Sequence, residues 1–280
     1  MVARVVELNH DLYPGMPTYP GQPPLEAEVI RTNEEHGFQL TRLHLNTHHG
    51  THVDAPCHFV SGAPQTLSDF TGADLVGPGE VLDVPVGPGE GVTAEQCDTA
   101  LAAIGGKLPE RPIVLLRTGF QDRYGADAEV HGTRHAFITG GAARWLVDHG
   151  ARIVGIDATS FECHGSQIPH ETPAHNTLLG AGVLLIEEMA GLDQVDWPEP
   201  LIVVAPLPVR GADGAPCRVF ATQLCPRNGR RRRAPPFPFR PRSAGDGFHL
   251  PDQQAERQRA EHRDAAGDHQ RRHERTGGTD

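Results

Sequence analysis

The sequence predicts a single compact α/β domain with a mixed sheet over residues 1–226, followed by a disordered Arg/Pro-rich tail over 227–280. Three observations carry that reading. Short β-branched or Leu-rich runs are bounded by Gly or Pro, as strands are. Capped helical segments alternate with those runs through the second half, the order that builds an α/β sheet. The composition then breaks abruptly after Pro226. Of the 280 residues, 38% are hydrophobic, enough for a buried core.

The strands are expected at Leu40–Leu45, Glu80–Val86, Ile113–Thr118, Ala151–Ile156, Gly182–Glu187 and Leu201–Ala205. Most of these runs are apolar on both faces, which implies a buried sheet. A helix over Thr93–Ile104 opens on Thr93-Ala94-Glu95-Gln96, a capping-box pattern. A second runs from a Thr139 cap to His149, with Gly150 as its stop. A third starts with Thr172 as cap and Pro173 at the first helical position, and ends near Gly180. No internal repeat is present.

The net charge of −11 conceals an asymmetry. Residues 1–226 hold 12 Lys+Arg against 28 Asp+Glu, net −16, whereas residues 227–280 hold 13 against 8, net +5. An acidic folded part disfavours nonspecific nucleic-acid binding and points to small-molecule partners. The tail carries Arg230-Arg231-Arg232-Arg233 near its start and has Leu250 as its one Leu, Ile, Val or Met. It cannot bury enough apolar surface to offset chain entropy. A basic arm for anionic surfaces and an out-of-frame translation are the alternatives to passive disorder. Five cysteines without a CxxC pair indicate reduced thiols. The opening Met1-Val2-Ala3-Arg4-Val5-Val6-Glu7 has no export signal, so a cytoplasmic location is expected. No run of about 18 apolar residues exists to engage a membrane.

The informative stretch is Asn46-Thr47-His48-His49-Gly50-Thr51-His52-Val53-Asp54-Ala55-Pro56-Cys57-His58-Phe59, an H-x3-H-x-D-x3-H spacing. Pro56 pushes Ala55 out of the helical region, so His52-Val53-Asp54 should be extended, with His52 and Asp54 on one face. Gly50 can take a positive φ and fold His48 back towards them. Imidazole nitrogen and carboxylate oxygen suit Zn²⁺, or Mn²⁺ and Fe²⁺. A lone histidine would ordinarily be a satisfied surface or core residue; a cluster at ligand spacing argues for metal. His58 is either a fourth ligand or a proton carrier. The second role is preferred, because a catalytic site keeps one coordination position open. His49 and His44 are read as structural.

Downstream, His175 falls in the first turn of the third helix, where the helix dipole disfavours imidazolium and keeps the ring able to bind metal. Glu187 ends an apolar strand, at the carboxyl end where α/β sheets place site residues. Either one alone would ordinarily be structural.

These residues resemble the cyclase family, which includes bacterial kynurenine formamidases and isatin hydrolases. The match consists of His48-x-Gly50-Thr51-His52-x-Asp54-x-Pro56-x-His58, of His175 and Glu187 twelve residues apart, and of the opening Asp11-Leu12-Tyr13-Pro14-Gly15-Met16-Pro17-Thr18-Tyr19-Pro20-Gly21. It covers residues 5–222. The resemblance implies a swivelling β/β/α-like fold working as a homodimer or homotetramer. It implies that His48, His52 and Asp54 bind one metal, that Asp54 bridges to a second held by His175 and Glu187, and that His58 is the general acid/base. Zn²⁺ is the expected ion, up to two per subunit, with Mn²⁺ as the alternative. Isatin-hydrolase-like members tend to carry a neutral amide where Glu187 stands and to bind one Mn²⁺, so the carboxylate leans towards the two-metal, formamidase-like arrangement. This chain departs from formamidases at Asp157-Ala158-Thr159-Ser160, at Tyr19 where a Trp is usual, and in the loop Phe161–Thr172 with His164, His170 and Glu171. Those positions shape the substrate pocket.

The expected reaction is hydrolysis of an amide or lactone. A bound metal lowers the pKa of water from about 15.7 towards 7 and polarises a carbonyl, and His58 would protonate the leaving group. N-formyl-L-kynurenine leads as substrate; a cyclic amide of the isatin kind or a lactone is the alternative. A metal-binding protein without turnover is the rival from another class, and His58 argues against it. No G-x-S-x-G elbow exists for a serine route, and a Cys57 nucleophile would leave the neighbouring ligands unexplained.

Overall fold

Strands that are apolar at every position need cover on both faces, and here each face has its own core. The computed structural model describes residues 2–121, 127–165 and 172–224; Cys225, the tail expected at 227–280, His170 and Glu171 lie outside the described residues. In chain order come β1 (Val2–Glu7), β2 (Glu26–Arg31), α1 (Asn33–His36), β3 (Leu40–His44) and β4 (His52–Asp54). They are followed by α2 (Gly72–Leu75), β5 (Val76–Asp83), β6 (Gly91–Val92), α3 (Ala94–Ala103), β7 (Ile113–Arg117), α4 (Ala128–Thr133) and β8 (Phe137–Ile138). The last are α5 (Gly140–Asp148), β9 (Ile153–Ile156), α6 (Pro173–Gly180), β10 (Leu184–Glu187), β11 (Leu201–Pro206) and β12 (Gly214–Leu224).

The main sheet is mixed, as expected, with eight strands in the order β1-β12-β11-β5-β7-β9-β10-β4. The run β5, β7, β9 and β10 is parallel, and the remaining neighbours are antiparallel. One further pairing closes the arrangement: β4 also pairs with the first residues of β12, Gly214↔Asp54 and Pro216↔His52. Seven strands therefore form a barrel-like ring, and β1 adds to the far end of β12. The expected α/β class holds.

Alternation along the parallel strands divides the apolar residues between two cores. Ile113, Leu115, Ile153, Leu184 and Ile186 join Val53, Ile202, Val204 and Val219 in a core drawn from all round the ring. Val114, Leu116, Val154, Ile156 and Leu185 face the other way, against Leu101 of α3, Leu146 of α5 and Leu178 of α6. β5 starts four residues before its expected position, because Val76-Gly77-Pro78 pairs with β11 and Gly79 with β7. Gly and Pro in that segment read as a turn in the sequence. The capping box of α3 is present, with Thr93 accepting from the Gln96 N–H and Gln96 from the Thr93 N–H. Thr172 stands at the N-cap of α6, but its hydroxyl accepts from the Asn176 side-chain amide instead of a helix N–H.

Candidate metal centre

The shortest strand of the main sheet, β4, carries the centre. Ala55 is extended (φ −99°, ψ 159°) ahead of Pro56, and His52 and Asp54 share one face of β4 while Val53 enters the ring core. His52 Nε2 lies 3.3 Å from Asp54 Oδ1. Across the antiparallel pair Glu187 stands opposite His52, and its Oε2 is 3.4 Å from the same His52 nitrogen. Gly50 takes φ +59°, and the chain returns His48 so that its Nδ1 is 2.8 Å from Asp54 Oδ1. A Cβ at Gly50 would also stand 2.6 Å from Leu12 Cδ2, so a side chain there would strain the backbone and displace Leu12.

From the helical side, α6 presents His175 with Nε2 3.3 Å from Glu187 Oε1 and 3.7 Å from Asp54 Oδ2. All five residues expected to act as ligands are thus brought together. Ligand atoms of His48, His52 and Asp54 lie within 4.8 Å of one another, as do those of Asp54, His175 and Glu187, and Asp54 belongs to both groups. His49 is turned away, as expected, with its ring between the Asn46 N–H and the Pro23 carbonyl. His44 is exposed on β3.

A test of fit comes from the polar atoms. His52 Nε2 and Asp54 Oδ2 are fully buried and have no hydrogen-bond partner, although charged neighbours surround them. Buried polar atoms are ordinarily paired, and a cation is what both of these lack. The donor set of imidazoles and carboxylates suits a borderline divalent ion, so the residues can hold one.

Electrostatics point the same way. Burial would lower the His52 and His175 pKa values, but Asp54 and Glu187 outweigh it for both, with Glu162 adding to the effect at His175; each ends well above its ordinary value. At His175 the neighbouring carboxylates outweigh the effect expected of the helix dipole. Asp54 is held well below the usual carboxylate range and Glu187 falls to about 2, burial being opposed by the adjacent imidazoles. Metal would enter by displacing protons from these rings, so affinity must weaken as pH falls.

His58 follows on a 3₁₀ turn (Pro56–His58) and stacks on His48 at 3.8 Å between ring centroids. Burial lowers its pKa, which leaves it neutral near pH 7. It lines a cavity of about 130 Å³ with Tyr19, Phe59, Thr159, Ser160 and Glu187. Cys57, the rival nucleophile, has its thiol pKa raised by desolvation and is a poor thiolate.

Two further contributors lie outside the sequence motifs. Asp213, just before β12, has Oδ2 3.0 Å from His48 Nε2 and 3.4 Å from His58 Nδ1. Glu162 lies within the loop that sequence reading assigned to the pocket. Its Oε1 accepts from the His175 backbone N–H at 2.8 Å and sits 3.2 Å from His175 Nδ1. One carboxylate thereby caps α6 and turns the ring so that Nε2 faces Asp54. Neither residue belongs to a recognisable spacing, and only the tertiary fold brings them in.

Fold and site together define a class, an enzyme of the metal-dependent hydrolase type. The chain belongs to the cyclase family: the family profile described as "Putative cyclase" matches residues 6–163. A kynurenine formamidase from Bacillus cereus is 29% identical over 220 residues, covering 76% of this chain and 94% of the relative. The structure of isatin hydrolase A from Labrenzia aggregata matches with a TM-score of 0.69 at 27% identity, over 78% of this chain and 93% of that one. A "predicted metal-dependent hydrolase" from Bacillus stearothermophilus matches with a TM-score of 0.62 at 30% identity, over 78% and 98%. No helix among the described residues is long and apolar enough to cross a membrane.

Proposed function

We propose that the chain hydrolyses the C–N bond of an aryl formamide, N-formyl-L-kynurenine first among them. Divalent ions would be held by His48, His52 and Asp54 and by Asp54, His175 and Glu187. The observation that carries the reading is the pair of three-ligand groups sharing Asp54, with a carboxylate at 187. Zn²⁺ fits the donor set best, with Mn²⁺ as the alternative. When bound, the metal supplies Lewis acidity, polarising the carbonyl and bringing the pKa of water from about 15.7 towards 7.

The chain's own residues do the rest. His58, neutral and facing the cavity, takes a proton from the attacking water and returns it to the leaving nitrogen. Asp213 holds the His58 ring from the Nδ1 side. Phe59 stacks on His175 at 4.0 Å and lines that side of the cavity with an apolar ring. The assembly is proposed to be a homodimer or homotetramer, with exposed Phe38, Leu40 and Leu43 on and beside the β2–β3 ribbon as its apolar surface.

A cyclic amide is the second reading, favoured by the likeness to isatin hydrolase A. The test is hydrolysis of N-formyl-L-kynurenine and of isatin by metal-stripped protein reconstituted with Zn²⁺ or Mn²⁺. Metal-dependent kcat/KM above about 10⁴ M⁻¹s⁻¹ on the formamide supports the proposal. Turnover of isatin alone transfers it to cyclic amides. No turnover of either by metal-loaded protein overturns it.

A further inference from the structure

Beyond the expected metal ligands, His58 and Phe59, the described lining of the catalytic cavity consists of Tyr19, Gln22, Thr159, Ser160 and Glu188. Four of these have a partner for a side-chain polar atom. The Thr159 hydroxyl donates to the His131 carbonyl, and Ser160 Oγ accepts from the Glu162 N–H. Tyr19 Oη lies 3.4 Å from His164 Nδ1, and Glu188 Oε1 lies 3.4 Å from His131 Nε2. Gln22 differs: its Oε1 is buried and has no hydrogen-bond partner. Buried acceptors are ordinarily paired, and leaving one open is unfavourable. Among the described lining residues outside the metal centre, no other side-chain atom is in that state.

Local sequence holds Gln22 there. In the turn Tyr19-Pro20-Gly21-Gln22 the Gln22 N–H donates to the Tyr19 carbonyl at 3.0 Å, and Gly21 takes φ +88°. Proline second and a positive-φ glycine third are the composition of a type II turn. The turn is supported from two sides. A Cβ on Gly132 of α4 would stand 3.0 Å from Pro20 Cγ, and the Pro23 carbonyl meets His49 Nε2 at 3.0 Å. His49 directly follows His48, so one segment carries both a metal ligand and the prop of this glutamine. With the backbone so held, the terminal amide still turns at little cost about its last side-chain bond, which lets Oε1 meet an occupant of the cavity.

An amide oxygen is an acceptor, so its partner must bring a hydrogen. An amide with a hydrogen on nitrogen supplies one beside the scissile bond. An ester or lactone places an oxygen lone pair there instead and leaves the acceptor unpaired, which is how a site built for an N–H rejects the analogue that lacks it.

We propose that Gln22 is a specificity-determining residue, its Oε1 accepting from the N–H of a bound secondary amide and so favouring such amides over esters and lactones. Its effect on turnover rests on the hydrolase reading; recognition of the N–H does not. Indole and benzofuran test recognition, being matched bicycles that exchange N–H for O and contain no hydrolysable bond. In calorimetric titration of the metal-loaded full chain, indole should bind at least fivefold more tightly than benzofuran, a comparison that needs no variant. Gln22→Met, close in size but without the acceptor oxygen, should abolish the difference while metal content and Tm are unchanged. Formanilide and phenyl formate test turnover. Their amide-to-ester ratio of kcat/KM should fall at least fivefold in Gln22→Met, whereas a purely structural role would lower both rates together. If neither is hydrolysed but the indole preference holds and depends on Gln22, the hydrolase reading fails and the recognition stands. Equal binding of indole and benzofuran by the wild-type protein, a preference that survives in Gln22→Met, or an unchanged ratio in an active enzyme would overturn the assignment.

Discussion

At His58, burial sets the chemistry. A ring lowered below its ordinary pKa is a base at neutral pH, and its stacking on His48 fixes where that base stands. His58→Ala should lower kcat by at least about 10²-fold, within the range ordinary for a lost general acid/base. Metal per subunit, measured by atomic spectroscopy, should stay the same; a parallel loss of metal would make His58 a ligand instead. His131 shows the same physics acting on stability. Burial, aided by His135 and His10, pushes its pKa down to about 4, against 6.5 for an unperturbed imidazole. Between those values the unfolded chain binds more protons than the folded one, so stability is full above pH 6.5 and is lost as pH falls towards 4. The effect is on the order of 3 kcal/mol at most. In His131→Gln that slope should flatten in urea-unfolding free energies measured across the window, and an unchanged slope would show that the folded ring is charged.

Among the elements, β4 and α6 matter most, and their supports were unequally visible. The extended His52-Val53-Asp54, the return at Gly50 and the strand-end position of Glu187 all follow from local rules, because Pro56, Gly50 and an apolar run act within a few residues. Glu162 and Asp213 do not: each acts through a contact with a residue 13 or 165 positions away, which no local period encodes. β12 is hard to read in the sequence for a related reason. Its Gly214 and Pro216 look like turn residues, yet Gly214 is where β12 passes so close that a Cβ would stand 2.8 Å from His48 Cε1. Because Glu162 both caps α6 and orients His175, Glu162→Gln should weaken binding of the second metal equivalent by about 10- to 100-fold. The first equivalent should change little. Titration with a chromophoric competitor separates the two, and equal weakening of both would remove the assigned role.

For the whole molecule, closure of the ring decides which residues are needed. Every described strand partner of the ring ends by Leu224, and both cores draw on residues before it. A chain ending at Pro226 should therefore keep its Tm and its metal-dependent activity. A fall of more than a few degrees, or a severalfold loss of rate, would assign the remaining residues a structural part.

β4 reaches its final place between two partners made much later in the chain, β10 and then β12. During synthesis the histidine-rich segment leaves the ribosome some 160 residues ahead of the strand that completes its seat. Until Gly214–Pro216 are made, the strand that carries His52 and Asp54 lacks one of its two neighbours. The cluster is consequently assembled late, when Gly214–Pro216 pair with β4, and not at the first appearance of the histidines.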